Sequence, residues 1–127
     1  MKTVHLKIAG RDFALAFTLD AMADMAESIK SFDIETLTDH VKSPRDLVTI
    51  IYCLARQGEL LEGRKLDVDR DWFGCHLSPH PRQAFRVQTA AFEALAEGLK
   101  METEEDDPDE EKDVALEEIK KKETNIN

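Results

Sequence analysis

The sequence predicts a mainly α-helical (α+β) domain in which an N-terminal β-hairpin packs on a small bundle of about five helices. Three observations favour this fold. Apolar residues alternate up to residue 17, the apolar spacing then changes to that of a helix, and acidic residues replace apolar ones after residue 100. We therefore expect a helical domain with its hairpin over residues 1–100 and an acidic, largely disordered tail over residues 101–127.

The hairpin is predicted from two stretches of period-two patterning. Apolar residues alternate with polar or small ones over residues 4–8 and again over residues 13–17, and a break at 10–12 that contains Gly10 separates them. This pattern is typical of two antiparallel strands with one apolar face. Two strands alone are marginally stable in water, so we expect that face to pack on the helices.

Four helical segments are predicted between the hairpin and residue 77. Thr18 or Asp20 begins the first, with Leu19, Met22 and Met25 on its apolar side, and Asp33 begins a short second one. We interpret Met22 and Met25 as core residues; the alternative is a groove for partner helices. The pair Ser43-Pro44 begins the most apolar helix, which is predicted to end at Gly58 before a loop over 59–68. A short helix over 69–75 follows, with Trp72 and Phe73 packing.

The stretch 78–100 predicts a long helix around which the rest of the domain packs, with Ser78 as its cap. Its larger apolar residues recur at helical spacing and define one face that is expected to be buried. We also predict that part of this face stays exposed and binds a partner. The candidate residues are Phe85, Phe92, Leu95 and Leu99.

Charge is concentrated at the C-terminal end. The formal net charge is −10, and residues 100–127 hold 12 acidic and 5 basic side chains. Binding to phosphate backbones needs clustered cationic groups, so nucleic acid and anionic membranes are not expected as partners. No apolar run is long enough for a membrane span or a signal core, which predicts a cytoplasmic protein.

The acidic run, residues 101–127, has two interpretations: a solvating linker, or an anionic segment that attracts a basic partner. Its apolar residues after 112 predict a short amphipathic helix at 113–122. The candidate partner-binding residues of the run are Glu104, Glu105, Asp106 and Asp107.

No residue pattern points to catalysis. Cys75, His76 and His80, with His40 elsewhere, come nearest to a metal site, but zinc sites usually use two spaced pairs of ligands. A reactive thiolate needs an electropositive setting, and Cys53 lies in an apolar helix. There is no glycine-rich phosphate loop. We therefore expect no enzymatic activity, no metal and no cofactor, and we interpret both cysteines as buried small hydrophobic residues.

Three segments occur in an order that is shared with a known family. The chain opens with a strand, a Gly-containing turn, an aromatic strand and then directly a helix; this order is carried by Ile8, Gly10, Asp12, Phe13, Phe17, Leu19, Ala21 and Met22. The segments LVTIIYCLARQGE and AFRVQTAAFEALAEGLKMETEED follow. This arrangement resembles the tail assembly chaperones of long-tailed (siphovirus-like) phages and prophages, especially those of Gram-positive hosts. The loop at 59–68 and the segment HLSPHP differ from the commoner forms.

The resemblance implies a non-enzymatic role in the host cytoplasm. Such chaperones hold the tape measure protein in solution, help recruit tail tube (major tail) subunits and are absent from the virion. The resemblance also implies a longer product of programmed ribosomal frameshifting that contacts the tube protein; the run 120–122 consists of lysines, whose codons can form a slippery sequence. The alternative is a small helical adaptor or regulatory interaction module unrelated to tails. The sequence leaves open whether the protein forms a homo-oligomer.

Overall fold

The computed structural model describes residues 2–100. Within them the chain forms a two-stranded antiparallel hairpin followed by five α-helices and one 3-10 turn, which confirms the predicted fold class. The acidic run and the helix predicted at 113–122 lie outside the described residues. The elements are β1 (Val4–Ile8), β2 (Arg11–Leu15), α1 (Leu19–Ser28), a 3-10 turn (Ile34–Thr36), α2 (Leu37–Val41), α3 (Pro44–Leu61), α4 (Arg70–His76) and α5 (Pro81–Gly98).

The hairpin turns at Ala9 and Gly10, one residue before the predicted break. Both residues have positive φ angles, 52° and 81°, as a two-residue type I′ turn requires. The resulting register pairs Ile8 with Arg11 and Leu6 with Phe13. The side chains of Leu6, Ile8 and Phe13 are buried on one face, as predicted.

Helix α3, rather than α5, is the centre of the domain. It contacts β2 and each of the other four helices in the described residues, and Ile50, Ile51 and Leu54 are fully buried. The expectation that the chain packs around α5 was therefore wrong. Burial of each large aliphatic side chain of α3 is worth about 1.5–3 kcal/mol, whereas α5 buries mainly alanines, which offer less apolar area.

Two glycines allow helices to approach the hairpin segment closely. A Cβ atom at Gly58 would lie 2.1 Å from the carbonyl oxygen of Ala14, and one at Gly98 would lie 2.2 Å from that of Phe17. Gly58 is thus a packing position inside α3, so the prediction that this helix ends there was wrong. The helix continues to Leu61, and the chain then turns at Gly63, which has a φ of 83°.

Glu59 connects α3 to the hairpin. Its Oε2 atom accepts a hydrogen bond from the buried N–H of Ala14 at 2.8 Å, and Arg64 Nε donates to its Oε1 at 2.7 Å. The hydrogen bonds from Arg64, and with them that from Ala14, lower the pKa of Glu59 below its usual range despite its burial. The carboxylate therefore stays ionised at neutral pH and satisfies a buried backbone donor.

Helix caps differ in part from the predictions. Thr18 caps α1 as expected, since its Oγ1 accepts from the N–H of Ala21 at 3.1 Å. Ser43 makes no side-chain cap bond at α3. His80, instead of Ser78, caps α5 and is followed by Pro81 as the first helical residue.

Candidate protein-binding surface

An uncharged stripe runs along the exposed edge of α5. Residues seven positions apart on a helix lie about 20° from one another around its axis, so Phe85, Phe92 and Leu99 share this edge. Phe85 is 69% exposed and Leu99 is 59% exposed, while Phe92 is half-buried against the core. The side chains that lie between them on this edge, Gln88, Thr89 and Ala96, carry no charge. We define the α5 stripe as Phe85, Gln88, Thr89, Phe92, Ala96 and Leu99.

The α5 stripe contains three of the four residues predicted on this helix. The fourth, Leu95, is 5% exposed and belongs to the core, so it holds α5 in place and is not accessible to a partner. Of the apolar face that was expected to be buried in part, Phe85 and Leu99 are the residues left exposed. Helix α5 packs through its small residues, mainly Ala90, Ala91 and Ala94, because these permit close approach to the domain.

An apolar groove lies where the α5 stripe ends. It has a volume of about 240 Å³ and lies between the start of α1 and the end of α5. Gly98 keeps α5 close to Phe17 here, and the Thr18 cap places Leu19 on the first turn of α1. We define the α1–α5 groove by its lining residues Phe17, Thr18, Leu19, Met22, Gly98 and Leu99.

Sequence reasoning missed the exposed residues of α1. Leu19 was expected to face the core but is 76% exposed, whereas Ala21 on the same turn of α1 is fully buried. Met22 lines the groove and is half-buried, whereas Met25 is fully buried as predicted. The periodicity of α1 identifies an apolar side, but it does not show that α5 ends beside Leu19 and leaves this residue uncovered.

The residues considered for metal or thiol chemistry lie apart from the stripe and groove. Within residues 2–100 no group of three His, Cys, Asp or Glu side chains is placed to hold a metal ion. His76 stacks on Trp72 with ring centroids 4.1 Å apart. Both cysteines are free; Cys75 is exposed, contrary to expectation, and burial raises the pKa of the Cys53 thiol to about 12.

Comparison of the chain with protein-family models, curated proteins and solved structures finds no match. In the part of the chain from residue 2 to residue 100, no helix is long and apolar enough to cross a membrane. Glu104, Glu105, Asp106 and Asp107 lie outside the described residues.

Proposed function

We propose that this chain is a tail assembly chaperone of a long-tailed phage or prophage. It binds the tape measure protein and keeps it soluble while tail tube subunits are recruited around it. The order of elements supports the proposal. The aromatic strand β2 and the residue Thr18 lead directly into α1, which is the order found in the tail assembly chaperones that the sequence resembles.

The α5 stripe is the observation that carries the proposal. The stripe is a continuous uncharged surface along one helix, and contiguous exposed apolar surfaces mark candidate sites for binding another protein. Phe85, Phe92 and Leu99 are spaced by seven residues, which is the spacing at which a second amphipathic helix presents its own apolar residues. A helical segment of the tape measure protein is the partner that fits this surface.

The α1–α5 groove extends the stripe and adapts it to different segments. Met22 lines the groove, and an unbranched, polarisable methionine side chain packs against partners of different shape. Leu19 and Leu99 stand exposed at its edges. A chaperone that holds a long client at many places benefits from such a weakly selective surface.

The acidic run supplies a net negative charge that residues 1–100 largely lack. Residues 101–127 contain 12 acidic and 4 basic side chains. Their negative charge keeps chaperone–client complexes apart through repulsion, which opposes aggregation of the loaded client. In a longer frameshifted product the same residues tether an additional part that contacts the tail tube protein, at a raised effective concentration.

Co-expression with the tape measure protein tests the proposal. We expect the chain to move the tape measure protein from the insoluble to the soluble fraction of the lysate. The double variant Phe85→Ser, Leu99→Ser should lose this effect and still fold, because both side chains are exposed. The matched control is Leu60→Ser, Leu61→Ser, which removes two leucines, each 52% exposed, away from the stripe.

Each outcome of this experiment has a defined meaning. A tape measure protein that stays insoluble beside the unmodified chain contradicts the proposed function and favours the alternative of a small helical adaptor. Equal loss of solubilisation in both double variants would show that the α5 stripe is not the specific binding surface.

A further inference from the structure

A cationic cleft lies at the end of the domain opposite the α1–α5 groove. It has a volume of about 560 Å³ and is formed by the hairpin turn, the end of α4 and the first turn of α5. Lys7, His76, His80 and Arg82 line it, above a floor that includes Ile8 and Val87. None of the lining residues is acidic.

The two formal cations of the cleft have no ionic partner within residues 2–100. Neither Lys7 nor Arg82 forms an ion pair there. Asp12 pairs with Lys7 in the strand register, but its carboxylate is bonded to His5 at 3.1 Å. The first turn of α5 contains no acidic residue, so the positive end of the helix dipole adds to the cationic potential.

We propose that this cleft binds the acidic segment 109–118 of the same chain. The segment DEEKDVALEE has six acidic side chains and one basic side chain, so its charge is opposite to that of the cleft. Its Val114 and Leu116 supply apolar side chains for the accessible apolar lining residues Ala9 and Leu77. The inference goes beyond the proposed function and does not depend on it.

The length of the chain permits this contact. Helix α5 has 18 residues, so the cleft lies about 27 Å from Lys100 along the helix axis. An extended chain spans about 3.3 Å per residue, so about eight residues beyond Lys100 cover this distance. Segment 109–118 is the first acidic stretch that can reach the cleft. Because it is tethered, it meets the cleft at an effective concentration on the order of millimolar, at which weak charge pairing suffices.

A spin label on the native protein tests the contact. Cys75 is exposed and adjacent in sequence to the cleft residue His76, whereas Cys53 is buried, so a maleimide spin label attaches at Cys75 without any substitution. We expect the label to broaden the amide NMR signals of residues 109–118 at low salt. Because charge pairing is screened by salt, the broadening should disappear between about 0.05 M and about 0.5 M NaCl.

Charge reversal provides the decisive comparison. Lys7→Glu with Arg82→Glu should abolish the broadening, while the control Lys65→Glu, which reverses an exposed cation outside the cleft, should retain it. Amide signals of residues 2–100 that stay dispersed verify folding of each variant. The proposal is overturned if broadening is absent at low salt or survives charge reversal. It is also overturned if a mixture of spin-labelled protein without isotope enrichment and unlabelled, isotope-enriched protein shows the same broadening, since that would place the segment on a second copy.

Discussion

Two adjacent residues of α3, Gly58 and Glu59, act on the same strand residue. The missing side chain of Gly58 leaves room for the carbonyl group of Ala14, and the carboxylate of Glu59 accepts the N–H of Ala14. The pair thereby sets both the distance and the register between the hairpin and the central helix. Neither role is visible in the sequence, where Gly58 resembles a helix terminator and Glu59 resembles a solvated charge.

Replacement of Gly58 by alanine should destabilise the domain. Alanine is the better helix former, but its Cβ would overlap the carbonyl of Ala14, so we expect a loss of about 1–3 kcal/mol or more. Gly74→Ala is the control, because its nearest neighbour would lie 3.5 Å away and helix propensity should add about 0.5–1 kcal/mol. Urea unfolding measures both. Equal stability of the two variants would contradict the close approach at Gly58.

The contribution of Glu59 should depend on pH. Hydrogen bonds from Arg64 lower the pKa of this carboxyl in the folded state, so its stabilisation is complete above the unfolded pKa and is lost as the pH falls through the folded value. At pH 7 we expect Glu59→Gln to cost about 1.5–3 kcal/mol, since the charge-assisted bonds are lost. Urea midpoints of the two proteins should begin to converge as the pH falls below the unfolded pKa of about 4.3. A difference that is independent of pH would contradict this role.

At the scale of elements, periodicity and turn chemistry predict most of the described fold. The hairpin and all five helices follow the predicted order, although α3 ends at Leu61 and not at Gly58, because alternation, the Thr18 cap and the Pro residues at helix starts act locally. The faces of α5 were predicted less well. Phe85 and Leu99 have the same spacing as core residues, and only the close packing of the alanine face turns them to solvent. The groove at Leu19 likewise depends on where α5 ends.

Substitutions in α3 and α5 should reverse the stability ranking that the sequence suggests. Ile51 is fully buried in the central helix, so Ile51→Ala should cost about 2–5 kcal/mol. Phe85 is exposed, so Phe85→Ala should change stability by no more than about 0.5 kcal/mol despite the larger side chain. Thermal or urea unfolding gives both values. A larger loss for Phe85→Ala would show that α5, and not α3, is the centre of packing.

At the scale of the whole molecule, the apolar and charged surfaces lie at different places. The α1–α5 groove is at the end of α5, the α5 stripe runs along its length, and the cationic cleft is at its start. The chain beyond Lys100 carries most of the net negative charge, −8 of −10. In the proposed chaperone, the apolar surface holds a client helix and the charged surfaces lie elsewhere on the molecule.

Mapping the surface that binds a tape measure segment tests the proposed function most directly. A soluble helical fragment of the tape measure protein is titrated into the isotope-labelled chain, and the amide NMR signals are followed. We expect shift changes to cluster at Phe85, Phe92, Leu99 and Leu19, with none at the hairpin turn. Absence of binding, or changes confined to residues outside the α5 stripe and the α1–α5 groove, would contradict the account.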